Sequence, residues 1–153
     1  MSKFKNDTIR TPVEGAKLWS FRFLLALVLM VAGIAWIAWY YAAVRADPSA
    51  LPAEAGSPKA VADLGNWNYV IGFGALLLGL AVSAHPTTPL GRGRGVVVGM
   101  LGCFLIGLLW ICTFYVFSDD LSVLPVFNDL GQWNLAVGIA FMAVGFTFAT
   151  HWE

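Results

Sequence analysis

Four apolar runs with no charge in their interiors occupy more than half of this chain, and they point to the bilayer as its solvent. The first extends from Ser20 to Val44, the second from Trp67 to Ala84, the third from Val96 to Phe117 and the fourth from Trp133 to Thr150. A helix needs about 20 predominantly apolar residues to cross the hydrocarbon core. The first and third runs meet that length, and the second and fourth need their flanks. Hydrophobic residues make up 59% of the 153 residues and charged residues 12%, about half the charge of an ordinary water-soluble domain. A cleavable signal peptide does not account for the first run. That run outlasts a signal-peptide core and shows no obvious small-x-small cleavage site before Trp39, Tyr40 and Tyr41, so we read it as a retained helix.

Lysine and arginine placement sets the orientation of such helices. The formal net charge is zero, yet the signs are sorted by loop. Lys3, Lys5, Arg10, Lys17 and Arg22 precede or open the first run, and Arg92 and Arg94 lie between the second and third. The other two connections hold Asp47, Glu54, Asp63, Asp119, Asp120 and Asp129 against only Arg45 and Lys59. The basic side is expected to be cytoplasmic, which places both termini inside. Trp19, Trp39, Tyr41, Trp67, Tyr115, Trp133 and Trp152 fall at the expected headgroup borders, where amphipathic rings settle. The expected fold is therefore an all-α membrane protein of four transmembrane helices. Cys103 and Cys112 share the third helix, nine residues apart. At about 1.5 Å per residue that is too far for a disulfide, and both read as small packing residues.

The chain also repeats itself. Asp63-Leu64-Gly65-Asn66-Trp67-Asn68 returns 66 positions later as Asp129-Leu130-Gly131-Gln132-Trp133-Asn134, and in that register Gly72 meets Gly138, Gly79 meets Gly145 and His85 meets His151. Gly33, Trp36 and Tyr41 align with Gly107, Trp110 and Tyr115 at an offset of 74, the difference being a longer first loop. A Thr-Pro followed by glycine and basic residues precedes each pair. The chain divides into a basic arm over 1–19, a first two-helix repeat over 20–86 and a second over 87–153. Both hairpins start on the same side, so their topology is parallel. Many secondary transporters instead use inverted repeats, which disfavours transport here.

D-L-G-x-W-N is the most distinctive local feature and suits the start of a helix at a membrane border. Asp63 and Asp129 are placed to cap or complement a positive helix end. Gly65 and Gly131 allow a tight turn, Trp67 and Trp133 anchor at the headgroups, and Asn68 and Asn134 can bond loop backbone or a neighbouring helix. Partner recognition is the functional alternative for the same residues. Gly95, Gly99, Cys103 and Gly107 recur every four positions in the third helix and allow close helix approach, either within the bundle or against another membrane protein. His85 and His151 lack companion ligands at useful spacing, so no metal site is expected. No nucleophile and base pairing, phosphate-binding loop or cofactor motif is present, no ionisable group lies at membrane depth, and nothing supports nucleic-acid binding. The expected chain is no enzyme and carries no cofactor. Its basic arm is suited to anionic lipid or an acidic cytoplasmic protein.

The repeated motif resembles the CrgA family of actinobacterial cell-division membrane proteins, which are built as a basic arm and two transmembrane helices. Arg10-Thr11-Pro12-Val13 is similar to that family's arm, Gly33 to Trp36 to its first helix, and Ala62 to Gly74 to the start of its second. Phe127 to Trp152 is similar to the same segment through its tryptophan-containing end. The chain differs in being doubled, in the mixed charge of its arm, and in having Asn66 and Gln132 where the family commonly has proline. The resemblance implies a plasma-membrane adaptor at the division septum that helps bring the FtsZ ring and peptidoglycan-synthesising enzymes together. Its partners would be membrane lipids and other integral membrane proteins. An accessory subunit of a respiratory or transport complex is the competing expectation.

Overall fold

The computed structural model describes residues 20–46, 50–52 and 56–151, so the arm 1–19, Asp47, Glu54 and Trp152 lie outside the described residues. Helix α1 covers Phe21–Trp39 and continues as a wider π-type turn over Tyr40–Val44. The Ser20 hydroxyl caps its start, accepting from the Phe23 amide at 3.1 Å. A single turn, α2 (Lys59–Ala62), leads into α3 (Trp67–Ser83). The second half repeats this order with α4 (Arg94–Val116), a short 3₁₀ turn at Leu121–Val123, α5 (Phe127–Leu130) and α6 (Trp133–Ala149). The chain is mostly helical, with no strand among the described residues.

Among the described residues two helices are long and apolar enough to cross a membrane: Phe21–Val44 with 24 residues and Arg94–Val116 with 23. Helices α3 and α6 are equally apolar in character but have 17 residues each. At about 1.5 Å per residue they reach about 26 Å, short of a hydrocarbon core of about 30 Å. The outward surfaces of the long helices are apolar, with Val28, Val31 and Ile34 on α1 and Leu101, Leu105 and Leu109 on α4 all exposed. Such continuous apolar exposure fits contact with lipid rather than water.

Within each hairpin the two helices meet at glycines. A Cβ placed on Gly33 would lie 2.5 Å from the Gly72 carbonyl oxygen, and one on Gly107 would lie 2.5 Å from that of Gly138. Removing the side chain lets the two backbones touch, which increases dispersion contact where no hydrophobic effect drives helices together. Gly79 approaches the Ala26 carbonyl in the same way, and Gly99 faces the Phe148 ring. Cys103 is buried in that seam, whereas Cys112 is exposed. Gly95 departs from its stripe: a Cβ there would strike Pro89 and Leu90, so it packs on the inter-repeat turn rather than on α6. Thr88 holds that turn, its hydroxyl donating to the His85 carbonyl at 2.9 Å and accepting from the Gly91 amide at 3.1 Å.

The hairpins join through α3 and α6. At the end that carries the D-L-G-x-W-N motifs, Tyr40, Val44, Tyr69 and Phe73 of the first repeat share one core with Leu130 and Phe141 of the second. Trp110 ties the two together by meeting Phe73 edge-on at 5.4 Å and stacking on Phe127 at 4.3 Å.

Candidate functional site at the hairpin junction

Each D-L-G-x-W-N motif is a corner between a short helix and a long one. Gly65 and Gly131 turn the chain at φ of 53° and 49°, backbone that a side chain rarely tolerates. The following asparagine braces the corner. Asn68 is fully buried and donates to the Val61 carbonyl at 2.8 Å and the Gly65 carbonyl at 3.0 Å. Asn134 makes the same pair with Phe127 and Gly131 at 2.9 and 2.8 Å. Of the two partners considered for these amides, loop backbone is the one found. Replacing Asn68 by Leu removes both bonds while preserving bulk. We expect a loss of about 1–2 kcal/mol, read as a lower thermal midpoint in detergent, with Asn134→Leu giving a matching loss.

The two aspartates behave differently from the capping expectation. Neither α3 nor α6 has a side-chain cap, and the two motif aspartates diverge. Asp129 reaches across to the other hairpin, where it forms an ion pair with Arg45, 84 residues earlier in the chain, and accepts from the Tyr69 hydroxyl at 2.6 Å. Its backbone carbonyl accepts from the Asn66 amide at 3.1 Å. Asp63, the equivalent residue, is exposed and makes no such contact with any described residue. The reason lies in the repeat itself. Arg45, Asn66 and Tyr69 of the first copy correspond to Asp119, Gln132 and Leu135 of the second. The first hairpin supplies every donor, and the mirror position would set Asp119 toward Asp63 with like charge. Partial burial disfavours the charge on Arg45. The field and hydrogen bond of Asp129, with smaller contributions from Tyr41 and Tyr69, more than offset it, so the guanidinium titrates above its ordinary range. The Tyr41 ring lies under the same guanidinium at 4.4 Å.

Below this junction a groove of about 540 Å³ opens between α3 and α6. Trp67, Val70 and Gly74 line one wall and Trp133, Ala136 and Ala140 the other, repeat-equivalent residues facing across the groove. Both tryptophans are exposed. At the opposite end of the bundle the Arg22 guanidinium donates to His85 at 3.0 Å from Nδ1, and His151 Nδ1 lies 2.6 Å from the Thr147 carbonyl. No cluster able to hold a metal ion exists among the described residues.

The structure thus brings Asp129, Trp67, Trp133, Asn68 and Asn134 to one end, with Gly99 and Gly107 deeper in the α4–α6 seam and Gly95 outside it. Arg45 and Tyr69 were not singled out by their sequence context. The available signal was Arg45 itself, one of two basic residues in otherwise acidic connections.

Fold and junction define a mostly helical protein of membrane character, made of two copies of one hairpin joined, among the described residues, by one cross-repeat ion pair. The family model for the cell division protein CrgA matches it twice, over residues 3–85 and 88–153. The chain belongs to the CrgA family, a family of cell division proteins rather than of enzymes. Similar relatives, each named cell division protein CrgA, come from Streptomyces avermitilis, at 42% identity over 64 residues, Corynebacterium aurimucosum, at 29% over 63, and Mycobacterium sp. strain KMS, at 36% over 57. The matched stretches cover 42%, 41% and 35% of this chain and 71%, 66% and 61% of those proteins. No solved structure matches the chain.

Proposed function

We propose that the protein spans the bacterial plasma membrane four times with both termini in the cytoplasm. It serves, without catalysis, as an adaptor that helps bring the FtsZ ring and peptidoglycan-synthesising enzymes together at the septum. The observation that carries this reading is the double family match, one for each hairpin. Physical support comes from the sorted loop charges and the lipid-like outer faces of α1 and α4. The groove between α3 and α6 is the place offered to a partner's transmembrane helix, because Gly74, Ala136 and Ala140 on its walls allow close approach.

A fluorescent fusion is expected to concentrate at midcell, and crosslinking in native membranes to recover division or wall-synthesis proteins. Even distribution along the envelope with recovery of respiratory subunits alone overturns the reading. Gly74→Leu tests the groove separately. A Cβ at Gly74 meets nothing within 4 Å, so the variant is expected to fold normally and to lose most of the crosslinked partner. Unchanged crosslinking removes the groove from the proposal.

A further inference from the structure

The first repeat has a second concavity at its motif end, of about 650 Å³, whose lining among the described residues includes Tyr40, Arg45, Gly56, Lys59 and Asp63 besides two alanines. It brings together the two basic residues of the otherwise acidic connections. Their circumstances differ. Arg45 is matched by Asp129, whereas Lys59 and Asp63 make no ion pair with any described residue. Tyr40 is only 5% exposed, its ring held edge-on against Tyr69 at 5.2 Å, yet its hydroxyl has no hydrogen-bond partner among the described residues. That hydroxyl is not among the fully buried polar atoms without a partner, and Tyr40 lines the cavity. A buried phenol normally bonds its hydroxyl, and the cavity that Tyr40 lines is also lined by an ammonium and a carboxylate.

We propose that this cavity binds a phosphate group carrying a primary ammonium, the chemistry of a phosphoethanolamine headgroup. Lys59 and the Tyr40 hydroxyl donate to the phosphate, and Asp63 accepts from the ammonium. A net-neutral ligand suits the site because Arg45 is matched by Asp129, leaving one charge of each sign without an ion pair among the described residues. The volume lies within the range of small-molecule pockets. Location favours a lipid as the source: Arg45 directly follows the apolar span Phe21–Val44, so the cavity sits where that helix leaves the hydrocarbon core. The second repeat lacks the same basic pair, since Asp119 replaces Arg45 in the register of the long helices and Pro125 replaces Lys59 in the register of the motif. This placement rests on the membrane-spanning reading above.

The full-length protein, purified in detergent, is offered an equimolar mixture of dioleoyl phosphatidylethanolamine, phosphatidylcholine and phosphatidylglycerol, and retained lipid is weighed by native mass spectrometry. Phosphatidylethanolamine should be retained about tenfold over the other two, a ratio that one charge-assisted hydrogen bond supplies. Phosphatidylcholine lacks the N–H donors for Asp63, and phosphatidylglycerol lacks the ammonium. Asp63→Asn, at an exposed position, should bring the ratio close to one, whereas Lys59→Ala and Tyr40→Phe should lower retention of all three lipids, since the phosphate they bind is common to them. Competition with free phosphoethanolamine separates the sources. Displacement shows that the headgroup alone binds, and resistance shows that the acyl chains contribute. Equal retention of the three lipids by the unaltered protein, a preference that survives Asp63→Asn, or retention unchanged by Lys59→Ala overturns the proposal. An alkaline wash of native membranes is read in parallel: a protein released by the wash defeats the spanning reading, whereas one retained without lipid preference defeats the headgroup site alone.

Discussion

Gly107→Leu forces α4 away from α6, and Gly33→Leu does the same to α1 and α3. In both cases the added Cβ would sit 2.5 Å from a backbone carbonyl of the partner helix, at Gly138 and Gly72. A flexible side chain could swing aside, but a carbonyl within a helix cannot, so the helices themselves must separate. Separation dissolves the close contact on which association inside lipid depends. The expected loss is about 3 kcal/mol or more for each substitution, at the upper end of overpacking effects. Thermal unfolding in detergent micelles measures it. Gly102→Leu is the control, because a Cβ there meets nothing within 4 Å. It should leave the midpoint unchanged or raise it slightly, since leucine favours a helix over glycine by several tenths of a kcal/mol. Equal effects at Gly107 and Gly102 would show that the glycine seam does not hold the hairpin.

The second large effect separates two residues that occupy the same place in the motif. Asp129→Asn removes the anion that matches Arg45 and leaves a partly buried guanidinium uncompensated, with the Tyr69 hydroxyl facing a weaker acceptor. Both side chains of the pair keep a fraction of their surface in solvent, which reduces the cost below that of a fully buried pair. We expect about 2 kcal/mol, seen as a midpoint about 5 °C lower. Asp63→Asn should cost almost nothing, because Asp63 is exposed and forms no ion pair with any described residue. Exchanging the charges, with Arg45→Asp and Asp129→Arg together, should recover part of the loss that either change causes alone. Partial recovery identifies a direct pairing, and additive losses would place the effect elsewhere.

This asymmetry bears on why the hairpin is doubled. Two identical hairpins related by a twofold axis would offer the same groups twice. Here the first hairpin donates through Arg45, Asn66 and Tyr69, and the second accepts through Asp129 and its carbonyl. The copies are therefore specialised for each other at the junction. Their divergence leaves Asp63 and Lys59 free to face the concavity of the first repeat.

Much of this protein is legible without its structure, because the determining interactions are local or periodic. Uninterrupted apolar runs specify helices whatever their neighbours, since a backbone in lipid must satisfy its own hydrogen bonds. The repeated motif and the alignment of Gly33 with Gly107, and of Gly72 with Gly138, announce two equivalent hairpins and mark where each one closes. The backbone-binding role of Asn68 and Asn134 was open to a sequence argument as well, the carbonyls they bind lying three and seven residues away. What the tertiary structure decided is which polar group meets which across the repeats. Asp129 reads as a helix cap by its local sequence, yet it is taken by a guanidinium 84 residues distant, while the identical motif residue Asp63 stays exposed. A lone charge near the membrane border satisfies itself with whatever opposite charge the packing of helices delivers. That delivery depends on the glycine seams and the α3–α6 contact together, and no single stretch of sequence contains it.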